Sequence, residues 1–240
     1  MLTYVRVGRP NDCSPNKLIS SVDNSVFGRP VYKTLRALYG NYNNDVGVKE
    51  DRTRAERKEE DQFLDEVMKS RVMKETLQFL KNNKIFTKSE QDFRNLLKEL
   101  WFDVYSRGRR ILGSSGFEHV FLGEKKNGTV QGFHNWVYFH HLEQTRDINY
   151  LGHWEEVELG GRGTGLAFTF KWGAEQKPYA SMVVGTSPQL EMAVYTVCIL
   201  TRPERSCEVS LAGQRVAVTT HVFNRPGGVK YVASAYFDWK

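Results

Sequence analysis

The feature that most limits the fold is a change of texture near residue 106. Before it, apolar residues recur at helical period. Between Asp51 and Asn82 the chain is rich in Glu, Lys, Arg and Leu, and the apolar pairs Phe63/Leu64 and Val67/Met68 are followed by Val72/Met73 and Leu77, the stripe of an amphipathic helix. The clearest helix is Glu90 to Tyr105. Ser89 and Asp92 stand in capping-box spacing before it, and Phe93, Leu96, Leu97, Leu100, Trp101 and Val104 recur along it. Pro30, at a first helical position, opens a further turn over Val31 to Tyr39.

After residue 106 the pattern is that of strands. Phe117 to Gly123 and Val130 to His140 flank Lys125-Lys126-Asn127-Gly128, a strong hairpin signal. Leu166 to Trp172, Tyr179 to Val184, Tyr195 to Leu200, Arg215 to Phe223 and Tyr231 to Phe237 follow as expected strands, and Ser187 with Pro188 should open a short helix. The expected class is α+β: a helical N-terminal half (1–105) packed on a C-terminal half of antiparallel β-sheets (106–240) that carries the active site. Long amphipathic helices need a surface to cover, so one body is expected and not two independent domains.

Composition narrows the function classes. Hydrophobic content of 40% and aromatic content of 12% describe a folded globule and not a disordered regulator. The longest apolar candidate for a membrane span, Met182 to Leu200, is broken by Gly185, Pro188 and Glu191, so no membrane partner is expected. The net charge of +6 favours a polyanion, and its cations are spread along the chain, which suits a surface groove better than a binding arm. Cys13, Cys198 and Cys207 are odd in number and lack metal-ligand spacing, so isolated reduced thiols are expected. The opening, Met1 to Asp12, has no apolar leader, which points to the cytoplasm, with secretion open if this is an excised domain. The sequon Asn127-Gly128-Thr129 points the other way.

Four of the six histidines, His119, His134, His140 and His141, fall within one short stretch. Their spacing is not that of a metal site. If Lys125 to Gly128 form the hairpin loop, Glu124 pairs with Thr129 and His119 lies opposite His134 on one face. A slip by one residue, or a bulge at Gly132, would separate them, and the sequence leaves the register open. Two imidazoles in one groove can act as base and acid near neutral pH. Cleavage of RNA by its own 2′-hydroxyl needs such a pair, with a lysine ammonium to stabilise charge on the phosphoryl oxygens.

Ser115 to Glu124 (SGFEHVFLGE) followed by Gly132 to Trp136 (GFHNW) resembles the paired histidine motifs of the EndoU endoribonucleases. Lys177-Pro178 and Gly185 to Thr196 resemble the third block of that family, and Tyr231 to Tyr236 its closing strand. Asn41-Tyr42-Asn43 and Trp101 to Arg107 extend the likeness into the helical half. The resemblance implies that His119 is the general acid, His134 the base and Lys177 the third member of a catalytic triad. It implies a uridylate-preferring cleavage of single-stranded RNA that leaves a 2′,3′-cyclic phosphate. More distant coronavirus relatives imply that Ser181 and Tyr236 hold the uracil and its ribose, with Ser234 beside them. A divalent cation, Mn2+ or Ca2+, is implied as cofactor, with Asp51 to Asp61 and Glu155 to Glu158 the acidic stretches that could supply oxygen ligands. A monomer is expected.

Blander readings stand beside these. Lys177 precedes a proline in an expected turn, Ser181 could be an ordinary strand serine and Tyr236 a core residue like Phe237. Glu118 has the opposite parity to His119, and His140, His141, His153 and His221 have no motif support. The rival functions are a silent RNA-binding module, a metal-dependent phosphodiesterase or nuclease, and a protein-interaction domain.

Overall fold

In the computed structural model, which describes residues 14–224 and 230–239, the N-terminal helices begin where their caps are. After α1 (Asn24–Phe27) and α2 (Pro30–Ala37), Thr53 and Glu56 form the capping box that starts α3 (Arg54–Lys69). Ser70 caps α4 (Arg71–Asn82), and Ser89 with Asp92 closes a second capping box on α5 (Glu90–Phe102). The apolar stripes turn inward: Phe63, Leu64 and Val67 from α3, Met73 and Leu80 from α4, and Phe93, Leu97, Leu100 and Trp101 from α5 are all buried. Arg94 and Lys98 on α5 hold Asp61 of α3 at 3.0 and 2.6 Å on the outer side.

The second half contains a five-stranded and a three-stranded sheet. In the larger, β1 (Glu124–Lys126) pairs with β2 (Thr129–Gln131), which lies beside β5 (Glu175–Val184); β4 (Thr164–Trp172) and then β3 (Ile148–Glu158) complete it. All of its pairings are antiparallel except the single parallel register of β2 with β5. In the smaller, β6 (Cys207–Leu211), β7 (Gln214–Asn224) and β8 (Lys230–Asp238) run antiparallel in order. Helices α6 (Trp136–Thr145) and α7 (Pro188–Thr201) pack against these sheets. The helical half is tied on by α5: Trp101 Nε1 donates to Thr196 Oγ1 of α7 at 3.0 Å, and just beyond α5 the Tyr105 hydroxyl donates to the Val232 carbonyl of β8 at 2.8 Å. This is the expected α+β arrangement.

Several local expectations are overturned. Phe117 to Gly123 is no strand; Glu118–Leu122 is a π-helical turn whose residues are all buried. Val130 to His140 is only briefly extended before α6 begins, and Tyr195 to Leu200 lies within α7, far longer than the short helix expected at Ser187-Pro188. A continuous, predominantly apolar run has no polar–apolar periodicity to distinguish helix from strand. The hairpin is tighter than expected, with a two-residue loop at Asn127 (φ 51°) and Gly128 (φ 74°), and Lys126 pairs with Thr129, the geometry of a type I′ turn. Strands β3 and β6 have no counterpart among the expected elements. Cys198 and Cys207 form a disulfide between α7 and β6, in place of the two free thiols expected, because the turn after α7 brings their Cα atoms to 5.7 Å. Cys13 lies outside the described residues.

Candidate active site

The π-turn and the hairpin together bring His119 and His134 to one place. His119 is on the buried π-turn, and its backbone carbonyl accepts the Phe133 N–H at 2.8 Å, while Val120 accepts the His134 N–H at 2.7 Å. These two bonds hold the histidines side by side, although not as the opposed strand residues of the expected hairpin. Gly132 makes the approach possible. At its φ of 61°, a Cβ would lie 1.8 Å from the His119 carbonyl oxygen, so no other residue fits without displacing the backbone.

The two imidazoles have different partners. His119 Nδ1 lies 2.6 Å from Glu124 Oε2, and that oxygen is also 2.7 Å from Arg107 Nε. Arg107 is fixed in turn, donating from Nη2 to the Tyr105 hydroxyl at 2.7 Å and the Ala233 carbonyl at 2.6 Å. His134 Nδ1 donates to the Ser181 carbonyl at 2.8 Å, and its ring stacks on Tyr236 with centroids 4.9 Å apart. A proton on each Nδ1 leaves Nε2 of both rings for chemistry.

Burial and surrounding charge set the protonation states. Burial, then the Arg107 guanidinium, push His119 down to about 4 against the opposing pull of Glu124. Burial pushes His134 well below the usual imidazole range, and Lys177 adds to the effect. Burial raises the Glu124 carboxyl, but its contact with His119 and the Arg107 guanidinium outweigh burial and hold it below the usual range. Burial pushes the Lys177 ammonium down to about 8. Glu118, next to His119 in sequence, does not line the cavity: burial and the neighbouring Glu124 and Glu50 raise it well above the carboxylate range, which keeps it neutral.

One cavity of about 610 Å³ gathers the six residues singled out in the sequence, His119, His134, Lys177, Ser181, Ser234 and Tyr236. Lys177 and Ser181 enter it from β5, so Lys177 is a strand residue and not part of the expected turn. Sequence reasoning gave no role to Arg107, Glu204 or His221, which also line the cavity, and left Glu124 unassigned. Glu204 and His221 form a hydrogen-bonded contact of 2.8 Å between Oε2 and Nδ1. The only signal for Glu124 was its nearness to His119; that for Arg107 was its place in the Trp101 to Arg107 motif. His140 and His141 lie on α6 against Phe27 and Tyr39, outside the cavity.

Among the described residues no group of three or more His, Cys, Asp or Glu side chains is placed to hold a metal. In the first acidic stretch Glu56 caps α3, Glu60 pairs with Arg52 and Asp61 with Arg94 and Lys98.

Comparison with known proteins gives a consistent set. The family model described as Endoribonuclease XendoU matches residues 3–237. A uridylate-specific endoribonuclease of Bos taurus is 39% identical over 228 residues, covering 94% of this chain and 55% of the relative. The uridylate-specific endoribonuclease EndoU of Drosophila melanogaster is 36% identical over 236 residues, 96% of this chain and 73% of that protein. The solved structure of XendoU, described as a splicing-independent snoRNA-processing endoribonuclease, superposes with a TM-score of 0.76 at 31% identity, over 93% of this chain and 82% of that one. The chain spans just over half the length of the mammalian relatives it matches.

Proposed function

Because the chain belongs to the XendoU endoribonuclease family, we propose that it cleaves single-stranded RNA at uridylates, using the RNA's own 2′-hydroxyl as nucleophile. The observation that carries this reading is the asymmetric histidine pair in one cavity with Lys177. Histidine His134 is neutral at physiological pH, with Nδ1–H committed to a backbone carbonyl and the Nε2 lone pair free. It takes the proton of the 2′-hydroxyl. The 2′-oxygen attacks phosphorus in line, the bond from phosphorus to the 5′-oxygen breaks, and His119 delivers a proton from Nε2 to that oxygen. The products are a 2′,3′-cyclic phosphate and a free 5′-hydroxyl.

His119 must therefore be protonated when substrate is bound, although it is neutral in the free protein. Glu124 at 2.6 Å supports the imidazolium, while burial, Arg107 and Lys177 oppose it. A bound phosphodiester carries negative charge into the cavity and offsets those two cations, which raises the affinity of His119 for its proton. The Lys177 ammonium stabilises the charge that develops on the non-bridging oxygens. On the His134 side, the Ser181 hydroxyl and Ser234 offer hydrogen bonds to the uracil and its ribose, and Tyr236 provides a ring for stacking.

An RNA carrying one 2′-deoxyuridine or 2′-O-methyluridine tests the mechanism. It should bind but resist cutting at that position, while the ribose substrate yields the cyclic phosphate. Efficient cutting at the deoxy position would overturn the reading in favour of an activated water.

A further inference from the structure

The catalytic cavity opens beside a second cleft of about 480 Å³, between the β1–β2 hairpin and the loop that follows α5. Arg107 lines both. Its guanidinium is held by Glu124, Tyr105 and the Ala233 carbonyl, so it forms a fixed ridge between the two spaces. Arg109 and Lys126 line the far side, against a single carboxylate, Asp45, whose Oδ1 accepts the Gly47 N–H. Lys126 donates one proton to the Arg107 carbonyl at 2.7 Å, which leaves its other two for a ligand. Arg109 and its neighbour Arg110 are exposed, and neither forms an ion pair among the described residues. Both sit in the left-handed region, at φ 55° and 60°. Successive non-glycine residues there are costly, and such strain persists where the surrounding structure imposes it. A polar cleft with an excess of positive charge suits a phosphate group better than a base or an apolar side chain.

We propose that this cleft is a subsite for the phosphodiester that follows the leaving nucleoside, so that the protein grips its RNA on the 3′ side of the cut. The inference rests on the cleavage reading above, which supplies the direction. Ser181 and Tyr236 contact His134, so the uridine that bears the attacking hydroxyl lies on that side. His119 protonates the leaving 5′-oxygen and is joined through Glu124 to Arg107. The leaving nucleoside therefore lies towards Arg107, and the next phosphate along the strand passes over that ridge into the cleft. The subsite adds affinity for a longer strand and leaves the chemistry at the cut unchanged.

Three short RNAs test it: UpA, UpApA with one added phosphate on the 3′ side, and ApUpA with one added on the 5′ side. UpApA should show a KM about tenfold below that of UpA, the size expected of one charge-assisted contact, while ApUpA stays close to UpA. In the R109A/R110A double variant the KM difference between UpApA and UpA should disappear. A gain from the 5′ phosphate in place of the 3′ one, or a 3′ gain that persists in the double variant, would overturn the subsite. If none of the RNAs is cut, the cleavage reading fails, and binding of the 2′-deoxyuridine analogues decides the cleft separately. A roughly tenfold tighter Kd for the 3′-extended analogue, lost in R109A/R110A, supports the cleft, and equal Kd values for the two analogues remove it.

Discussion

The helical and sheeted halves bury different kinds of residue. In the helical half most buried polar groups have partners close by in the fold: Glu60 has Arg52 and Tyr42, Thr76 the Val72 carbonyl and Glu50 the Asn43 N–H, while the Tyr39 hydroxyl and Arg52 Nε are buried without a hydrogen bond. In the second half, His119, Glu124, His134, Asn135 and Glu191 are all buried, with Glu118 beside them and neither of its carboxyl oxygens hydrogen-bonded within the protein. Burying ionisable groups costs several kcal/mol each unless they are paired or neutralised. The helical half thus acts as a supporting wall that buries its ionisable groups singly or in pairs, with Glu50 pushed up to about 7 by burial, whereas the second half clusters them around one cavity. That difference predicts that activity and stability respond to mutation in separate places.

The largest test is of the proposed triad. His119→Ala, His134→Ala and Lys177→Ala should each lower the cleavage rate by about 100-fold or more with the protein still folded. Single-turnover kinetics beside a circular-dichroism melt would show it. A folded variant at near wild-type rate removes that residue from the chemistry. Glu124→Gln keeps the shape beside His119 but removes the charge that supports its proton, so it should move the alkaline limb of the pH–rate profile to lower pH. An unchanged profile would mean that Glu124 only packs.

Next in size is the covalent link within the second half. Cys198 and Cys207 are nine residues apart, and in the chain-entropy model a loop of that length contributes about 2–3 kcal/mol. Replacing both by serine should lower the denaturation midpoint accordingly and leave kcat unchanged, because neither sulfur lines the catalytic cavity. A matching loss of kcat would show that stability and chemistry are coupled even within the sheets.

The same contrast decides what could be read from sequence. Helices α3, α4 and α5 are amphipathic, half wet and half dry, and their caps and stripes announce them. The π-turn at Glu118–Leu122 is buried on all sides, so its residues are apolar or neutralised at every position and carry no period. Helix α7 is apolar even along its half-exposed face of Leu190, Val194 and Val197, so Tyr195 to Leu200 reads equally well as strand. The site residues were legible only as motif members. Nothing in composition could show that His119 and His134 meet through backbone bonds to Phe133 and His134, or that Arg107 would reach Glu124 across the fold. Lys177 looked like a turn lysine because Pro178 follows it; β5 accommodates that proline, while the neighbouring β4–β5 register shifts between Phe168 and Phe170.

An effect visible only as a dependence on pH is expected from Glu191 on α7. Its carboxyl is buried between Asn135 Nδ2 at 2.8 Å and the Thr186 hydroxyl at 2.6 Å, and burial pushes it from 4.5 up to about 8. The folded state then keeps a proton that the unfolded state has lost across that window. Its contribution to stability is complete below 4.5 and is lost as the pH rises towards 8, with a slope of at most about 1.4 kcal/mol per pH unit. The histidines act with the opposite sign. His119 is lowered from 6.5 to about 4, so the unfolded state takes up its proton first and stability rises with pH between those values. In Glu191→Gln, the difference from wild type should therefore change steadily on the alkaline side, with the variant gaining relative stability as pH rises. A difference that is flat from pH 6 to 8 would mean that Glu191 is already ionised in the folded protein.

The smallest effect belongs to the helical wall. Ser89 Oγ accepts the Asp92 N–H at 3.1 Å and Asp92 returns a bond to the Ser89 N–H, both in solvent at the start of α5. Ser89→Ala breaks the first of these bonds and should cost about 1 kcal/mol, the usual value of an N-cap serine. The other end of the same helix carries Trp101, bonded to Thr196, and leads into Tyr105, which accepts from Arg107 at the edge of the catalytic cavity. If the halves divide their labour as their buried groups indicate, loosening the first turn of α5 lowers the midpoint of unfolding slightly and leaves KM and kcat where they were. The bulk of α5, with Phe93, Leu97 and Leu100 buried along it, holds the far end in place. A fall in kcat larger than the fall in stability would show the reverse. It would mean that α5 transmits strain through Trp101 and Tyr105 to Arg107, making the wall part of the catalytic machinery.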